Sequence, residues 1–263
     1  MKQENTYNKL SDFPKYFNEG SDIFKFGIGG QYKYFQGDSE EFYLKNLKTM
    51  PEDWYYRTND ITYDVNSYGF RTRDFNEINW QDSYVMFGCS FVFGTGVEES
   101  KTIPSFLSEY LGKEVINLGI SAASNELIFY ALTMFKKKYG IPLGVIVLWS
   151  SIERSTFFIY NGISSLGPWS VREDVYSKKV DRKLYECLQS EWVNGFMKSH
   201  YLSLAATEMW KNECKFFSTT SFNDTIFSKH ILLYDQKGRD LSHCGNETNK
   251  LNAELIFNEL KTI

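Results

Sequence analysis

Histidine is scarce in this chain: His200, His230 and His243 are the only three among 263 residues. Chemistry that needs an imidazole base is therefore confined to three positions. The four cysteines, Cys89, Cys187, Cys214 and Cys244, form no C-x-x-C pair and have no histidines at ligand spacing, so neither a zinc site nor a disulfide framework is indicated and no metal or other cofactor is expected. A basic excess is also missing. Lysine and arginine total 29 against 33 acidic residues, a formal charge of −4 with no basic stripe, which argues against nucleic acid as a partner. The longest apolar run, Ile141 to Trp149, is too short to cross a bilayer, and Met1 to Phe17 lacks the apolar centre of a secretion signal. No membrane partner is expected, and the chain reads as cytoplasmic. Gly94-Thr95-Gly96 is not followed by Lys-Ser/Thr at the spacing of a phosphate-binding loop.

Apolar and aromatic residues are plentiful, 42% and 17%, enough to fill the core of one large domain or of one domain with an elaboration. Residues 1 to about 80 are rich in Tyr, Phe, Asn and Asp without regular apolar repeats, which predicts an amino-terminal extension of short strands and loops wrapped on a main body over 81–263. In that body Tyr84 to Phe87 reads as a buried strand that breaks at Gly88. Thr102-Ile103-Pro104 opens a helix with the stripe Ile103, Phe106, Leu107, Tyr110 and Leu111, ended by Gly112. Val115 to Leu118 is a second strand. A helix with Leu127, Ile128, Ala131, Leu132 and Phe135 on one face follows, and Val145 to Trp149 is a third strand apolar enough to be covered on both sides. The β-α-β-α-β order predicts a parallel sheet with its ligand site at the carboxyl ends of the strands.

From Ser155 to about Lys183 no periodicity is visible, and its many aromatic residues suit a loop or lid. Helices are expected near Leu184 to Met197 and Leu202 to Trp210, and a fourth strand near Lys215 to Thr219. A last helix carries Leu251, Leu255 and Leu260.

Two places carry chemistry. Asp240-Leu241-Ser242-His243 sets a carboxylate at turn spacing from one of the three histidines, the pairing that holds an imidazole in one tautomer. Gly88-Cys89-Ser90-Phe91 lies where the first strand gives way to a loop and lifts a hydroxyl above the sheet edge. It is not a complete G-x-S-x-G elbow, because Val92 stands at the second glycine position.

Val85-Met86-Phe87-Gly88-Cys89-Ser90-Phe91-Val92-Phe93-Gly94-Thr95-Gly96-Val97 resembles block I of the SGNH (GDSL-type) hydrolase superfamily. Val115 to Asn125 resembles block II, and Asp240 to His243 the D-x-x-H of block V. Asn66-Ser67-Tyr68-Gly69-Phe70-Arg71 is similar to a lead-in of some members. The segments come in the family's order, and residues 150 to 235 add nothing to the likeness. The resemblance implies a three-layer α/β/α flavodoxin-like fold around a central parallel sheet. It implies a serine esterase in which Ser90 attacks, His243 is general base and then acid, and Asp240 orients His243. The implied partner is a small acyl-ester substrate, an acylated sugar by analogy. A binding module that has lost turnover and an O-acyltransferase are the competing readings.

Three oxyanion donors belong to the family pattern, the nucleophile's own amide among them, and the other two are altered here. Register from Asn117 puts the block II donor at Ala122, and Trp149-Ser150-Ser151-Ile152-Glu153 replaces the Gly-x-Asn-Asp that supplies an asparagine amide. Asn125 is one candidate for that amide, with capping of the following helix as its alternative role. Ser150 or Ser151 is another source of a donor, through its hydroxyl. Cys89 stands where the family has aspartate, and Cys244 where proline often follows the histidine.

Overall fold

The computed structural model describes residues 24–159, 162–171, 179–189, 192–220 and 235–263. Strands β1 (Gly30–Tyr32) and β2 (Tyr63–Val65) pair antiparallel, with helix α1 (Glu40–Leu47) between them in sequence. Ser39 caps α1 by accepting a hydrogen bond from the Phe42 amide, and Glu40 and Glu41 suit its positive end. The main body follows as β3 (Tyr84–Gly88), α2 (Ser90–Phe93), α3 (Ile103–Leu111), β4 (Val115–Gly119), α4 (Asn125–Tyr139) and β5 (Gly144–Trp149). After these come the hairpin β6 (Ser155–Ile159) and β7 (Gly162–Leu166), helices α5 (Lys179–Gln189) and α6 (Trp192–Trp210), strand β8 (Lys215–Thr220) and helix α7 (Asn246–Leu260). Among the described residues no helix is long and apolar enough to cross a membrane.

The four-stranded sheet runs β4-β3-β5-β8, and every neighbouring pair is parallel. The chain moves outward from β3 to β4 and then returns past β3 to β5. The two crossovers at that reversal carry α3 and α4, which the right-handed rule for parallel strands puts on opposite faces. Helix α3 packs on α7 and α4 on α6, which makes three layers. All side chains of β3 from Val85 onward, and all of β4 and β5, are buried, which explains their near-continuous apolar sequences. Gly88 aligns with Gly119 and Leu148, so the ends of the three central strands form one rim.

The first described residues supply part of the core. Phe24, Phe70, Phe75 and Trp80 are buried with Phe135 of α4 in the main cluster. Tyr56, Ile61, Tyr63 and Val65 form a second cluster with Phe93 of α2.

Three expectations of local structure are corrected. The stretch from Ser155, expected to lack regular structure, carries the β6–β7 hairpin, joined to the body by a hydrogen bond from Ser124 to Thr156 (2.7 Å); residues 160, 161 and 172–178 of it lie outside the described residues. The helical break expected between Met197 and Leu202 is absent, and α6 continues through it. Polar residues there are used by tertiary partners: Lys198 pairs with Glu126 at 2.6 Å, and Ser199 accepts from Asn125. In α7 the buried face is Asn249, Asn252, Ala253, Ile256 and Leu260, while Leu251 and Leu255 are 48% and 39% exposed. Asn249 turns inward because its amide donates to the carbonyl of Lys101 at 3.0 Å, an interaction that hydrophobic periodicity does not register.

Candidate active site

Ser90 begins α2 immediately beyond β3, at the rim where β3, β4 and β5 end. Its placement depends on Gly119 of the neighbouring strand, where an added Cβ would lie 2.2 Å from the Phe93 nitrogen; only a residue without a side chain lets α2 lie down on β4. Asn117 secures the junction, accepting from the Gly119 amide at 3.0 Å and approaching the Phe93 carbonyl with its own amide.

Asp240 and His243 come from the loop before α7. Leu241 takes a left-handed conformation (φ 56°), which bends the loop so that Asp240 Oδ1 accepts the amides of Ser242 and His243, each at 3.2 Å. The other oxygen, Oδ2, faces His243 Nδ1 at 2.5 Å, and His243 Nε2 lies 2.7 Å from Ser90 Oγ. The imidazole thus bridges a carboxylate to a hydroxyl 153 residues away in sequence. Phe91 packs beside the ring, at 5.0 Å between centroids. The Asp240 side chain is 1% exposed and that of His243 15%, so the carboxylate is shielded while the imidazole keeps an opening to solvent.

The proposed oxyanion residues are placed differently from one another. Ala122 has φ 61°, a left-handed conformation that is uncommon for alanine, in the loop between β4 and α4. Its amide and that of Ser90 make no hydrogen bond within the described residues. Asn125 does not offer its amide to Ser90 in this arrangement. It is 1% exposed, and its Nδ2 donates to the Ser150 carbonyl and to Ser199 Oγ, both at 2.9 Å, while its Oδ1 accepts from the Ser150 amide at 2.7 Å. Nor does it cap α4; Ser124 does. Ser151 Oγ accepts from the Glu153 amide at 3.3 Å, closing a turn. Ser150 Oγ is buried without a partner among the described residues.

Cys89 and Cys244, next in sequence to Ser90 and His243, are both buried and in no disulfide. Burial, with smaller contributions from the Cys89 and Asp240 charges, pushes the Cys244 thiol up to about 12, against a partial offset from Lys237. Cys214 is pushed up to about 11, again chiefly by burial. The folded chain therefore holds protons on these sulfurs that the unfolded chain releases near pH 9, so stability is full below that pH and is lost as pH rises through the folded values. The urea-unfolding midpoint is expected to begin falling above about pH 9 and to keep falling toward about pH 11, and Cys244→Ala to flatten that fall; a midpoint constant over the window removes the assignment. Tyr56 and Tyr63, also raised by burial, add loss of the same sign only at higher pH.

Several residues around the site carry no sequence signal. Asp38, fully buried, binds Arg239 through Nε and Nη2 at 2.7–3.1 Å. Tyr63 donates to Asp38, and Arg71 donates to the carbonyls of Gly94, Val97 and Thr62. Of these residues Arg71 is the exception, since it closes the Asn66–Arg71 lead-in. Among the described residues no three His, Cys, Asp or Glu side chains converge as a metal site. A cavity of about 310 Å³ lies among Ile152, Ser155, Trp192, Gly195 and Lys198, and none of the residues lining it belongs to the Ser90–His243–Asp240 array.

No family model and no curated protein matches the chain. Among solved structures it is similar to one described as a lipolytic protein of the G-D-S-L family from Desulfitobacterium hafniense (14% identity, 68% of this chain and 99% of that one, TM-score 0.35). It is also similar to a carbohydrate esterase family 2 enzyme with a carbohydrate-binding domain from Corynascus thermopiles (11%, 78% and 70%, TM-score 0.36). A third is described as a GDSL-like lipase from Bacteroides ovatus (14%, 71% and 56%, TM-score 0.33). Likeness at this level speaks to neither substrate nor chemistry.

Proposed function

We propose that the chain is a divergent SGNH-type serine esterase that cleaves a small acyl ester through an acyl-enzyme on Ser90. The observation that carries this is the unbroken contact from Ser90 Oγ to His243 Nε2 at 2.7 Å and from His243 Nδ1 to Asp240 Oδ2 at 2.5 Å. A serine hydroxyl is a poor nucleophile by itself. With neutral His243 accepting its proton, Oγ attacks the acyl carbonyl, and Asp240 stabilises the imidazolium that forms. The negative charge on the former carbonyl oxygen is met by the Ser90 and Ala122 amides, neither of which is spent on a hydrogen bond within the described residues. His243 then protonates the leaving alcohol, and water activated by the same nitrogen releases the acid. An O-acetyl group on a carbohydrate is the substrate class we favour by family analogy.

A second reading, a weak or inactive binding module, is favoured by one observation. Both hydrogens of the Asn125 amide are engaged elsewhere, so no side-chain amide fills the third donor's place and only the Ser150 or Ser151 hydroxyl is left for it. One lost donor costs about 10²–10³ in rate, so this reading predicts slow turnover with an intact nucleophile. A phosphonofluoridate is expected to label the native chain and not Ser90→Ala. Equal labelling of both, or of neither when both are folded, ends the esterase proposal. Labelling without measurable ester turnover selects the binding module, and products formed only when an alcohol acceptor is added select acyl transfer.

A further inference from the structure

Asp38 lies in a part of the sequence that shows no motif, yet it is fully buried and paired with the residue next to the proposed acid. Its carboxylate accepts Arg239 Nε at 3.0 and 3.1 Å and Nη2 at 2.7 Å. The same carboxylate accepts the Tyr63 hydroxyl at 2.5 Å, and the Tyr63 oxygen accepts the Gly96 amide at 2.8 Å. The Gly96 carbonyl in turn accepts the Arg239 amide at 2.7 Å, which closes a ring: Gly96, Tyr63, Asp38, Arg239 and back to Gly96. Gly96 is the surface behind the acid. A Cβ added there would lie 2.7 Å from Asp240 Oδ1, so the Asp240 carboxylate rests against the bare glycine on one side and the His243 imidazole on the other.

The segment that brings Asp38 also reaches the nucleophile. Phe35 and Asp38 exchange backbone hydrogen bonds at 3.1 Å each, forming a tight turn through Gln36, whose φ is 49°. Phe35 stacks on Phe93 of α2 at 4.9 Å, and a Cβ on Gly37 would be 3.9 Å from His243 Cε1. One short turn therefore joins the helix that starts with Ser90 to the loop that holds Asp240.

We infer that Asp38 is a positioning residue: through Arg239 and Gly96 it sets the place and direction of the Asp240 carboxylate, and so the orientation of His243 toward Ser90. The inference deepens the esterase reading and rests on it. Burying two opposite charges costs desolvation that an apolar contact would avoid; what a guanidinium fork on a carboxylate adds is a fixed angle. Geometry is what this position needs. A displacement of about 1 Å in a catalytic array costs on the order of 10²-fold in rate. Arg239 is itself fully buried and lies over the rings of Tyr34 and Tyr43, at 4.9 and 5.3 Å. Without Asp38 its uncompensated charge would draw on the neighbouring Asp240.

Asp38→Asn tests this in the full chain. The expected result is a kcat lowered by about 10- to 100-fold with KM changed far less. In proton NMR the far-downfield signal of the His243 Nδ1–H, which reports its bond to Asp240, is expected to shift upfield or vanish into exchange with water. Tyr63→Phe removes one hydroxyl and leaves the ion pair, so it guards against a variant that fails to fold; it should move the same signal in the same direction by less. An unmoved signal and unchanged kcat in folded variants, with only a lower Tm, overturns the inference and leaves a structural ion pair. If the native chain neither turns over an ester nor takes a phosphonate label, the esterase reading falls, and the NMR signal alone still decides the role of Asp38.

Discussion

Asp240→Asn is expected to lower kcat by about 10⁴-fold while the chain stays folded. The reason is tautomeric. Asp240 Oδ1 accepts two backbone amides and Oδ2 faces His243 Nδ1, so the native ring carries its proton on Nδ1 and presents a bare Nε2 to Ser90. An asparagine can keep its oxygen on the two amides only by turning its NH₂ toward Nδ1. That nitrogen must then accept, the proton moves to Nε2, and the ring offers Ser90 a donor where a base is needed. The opposite rotamer sets NH₂ against two N–H groups. Steady-state kinetics on an ester that the native chain hydrolyses, with a thermal melt on the same sample, checks this; a kcat within tenfold of native would show that Asp240 does not orient the base.

Asn125→Ala is expected to act on stability by about 3–5 kcal/mol and only weakly on chemistry. Asn125 joins three elements. It satisfies both the amide and the carbonyl of Ser150 at the end of β5 and the hydroxyl of Ser199 in α6, from the first residue of α4. An alanine leaves the two buried backbone groups of Ser150 without partners, which is the costly way to lose hydrogen bonds. Urea denaturation should show the loss, with kcat of the remaining folded protein within about tenfold of native. If instead kcat drops by about 10²–10³ with little change in the unfolding midpoint, Asn125 is an oxyanion donor and its engagement with Ser150 and Ser199 is not the state that reacts.

The sheet was readable because its strands are buried on both faces. Val145 to Trp149 and Val115 to Leu118 are runs that no solvent-facing element would carry, and their spacing leaves room for one helix each. Ser90 and the Asp240–His243 pair were readable for a different reason: the first sits at a strand's end, and the second is a local spacing around a rare residue. Asp38 and Tyr63 had neither advantage. They are single polar residues in an aromatic-rich stretch without periodicity, and what gives them meaning is a guanidinium 201 residues from Asp38. The inward face of α7 was misread because Asn249 and Asn252 are buried through hydrogen bonds and contacts with the Cys244 region, whereas Leu251 and Leu255 of the apparent stripe point outward and only Leu260 turns in. Asn125 shows a similar limit. An asparagine in a loop after a strand suits a donor, a cap or a cross-link equally well until its neighbours are known.

The distance in sequence between Asp38 and Arg239 has a consequence for synthesis. At about 5–20 residues per second, a ribosome adds Arg239 roughly 10–40 s after Asp38. During that interval the carboxylate stays hydrated, the hydroxyl of Ser90 has no imidazole beside it, and β3, β4 and β5 can pair above an unfinished rim. The Ser90–His243–Asp240 array is thus assembled only when the last quarter of the chain emerges and folds back onto what precedes it.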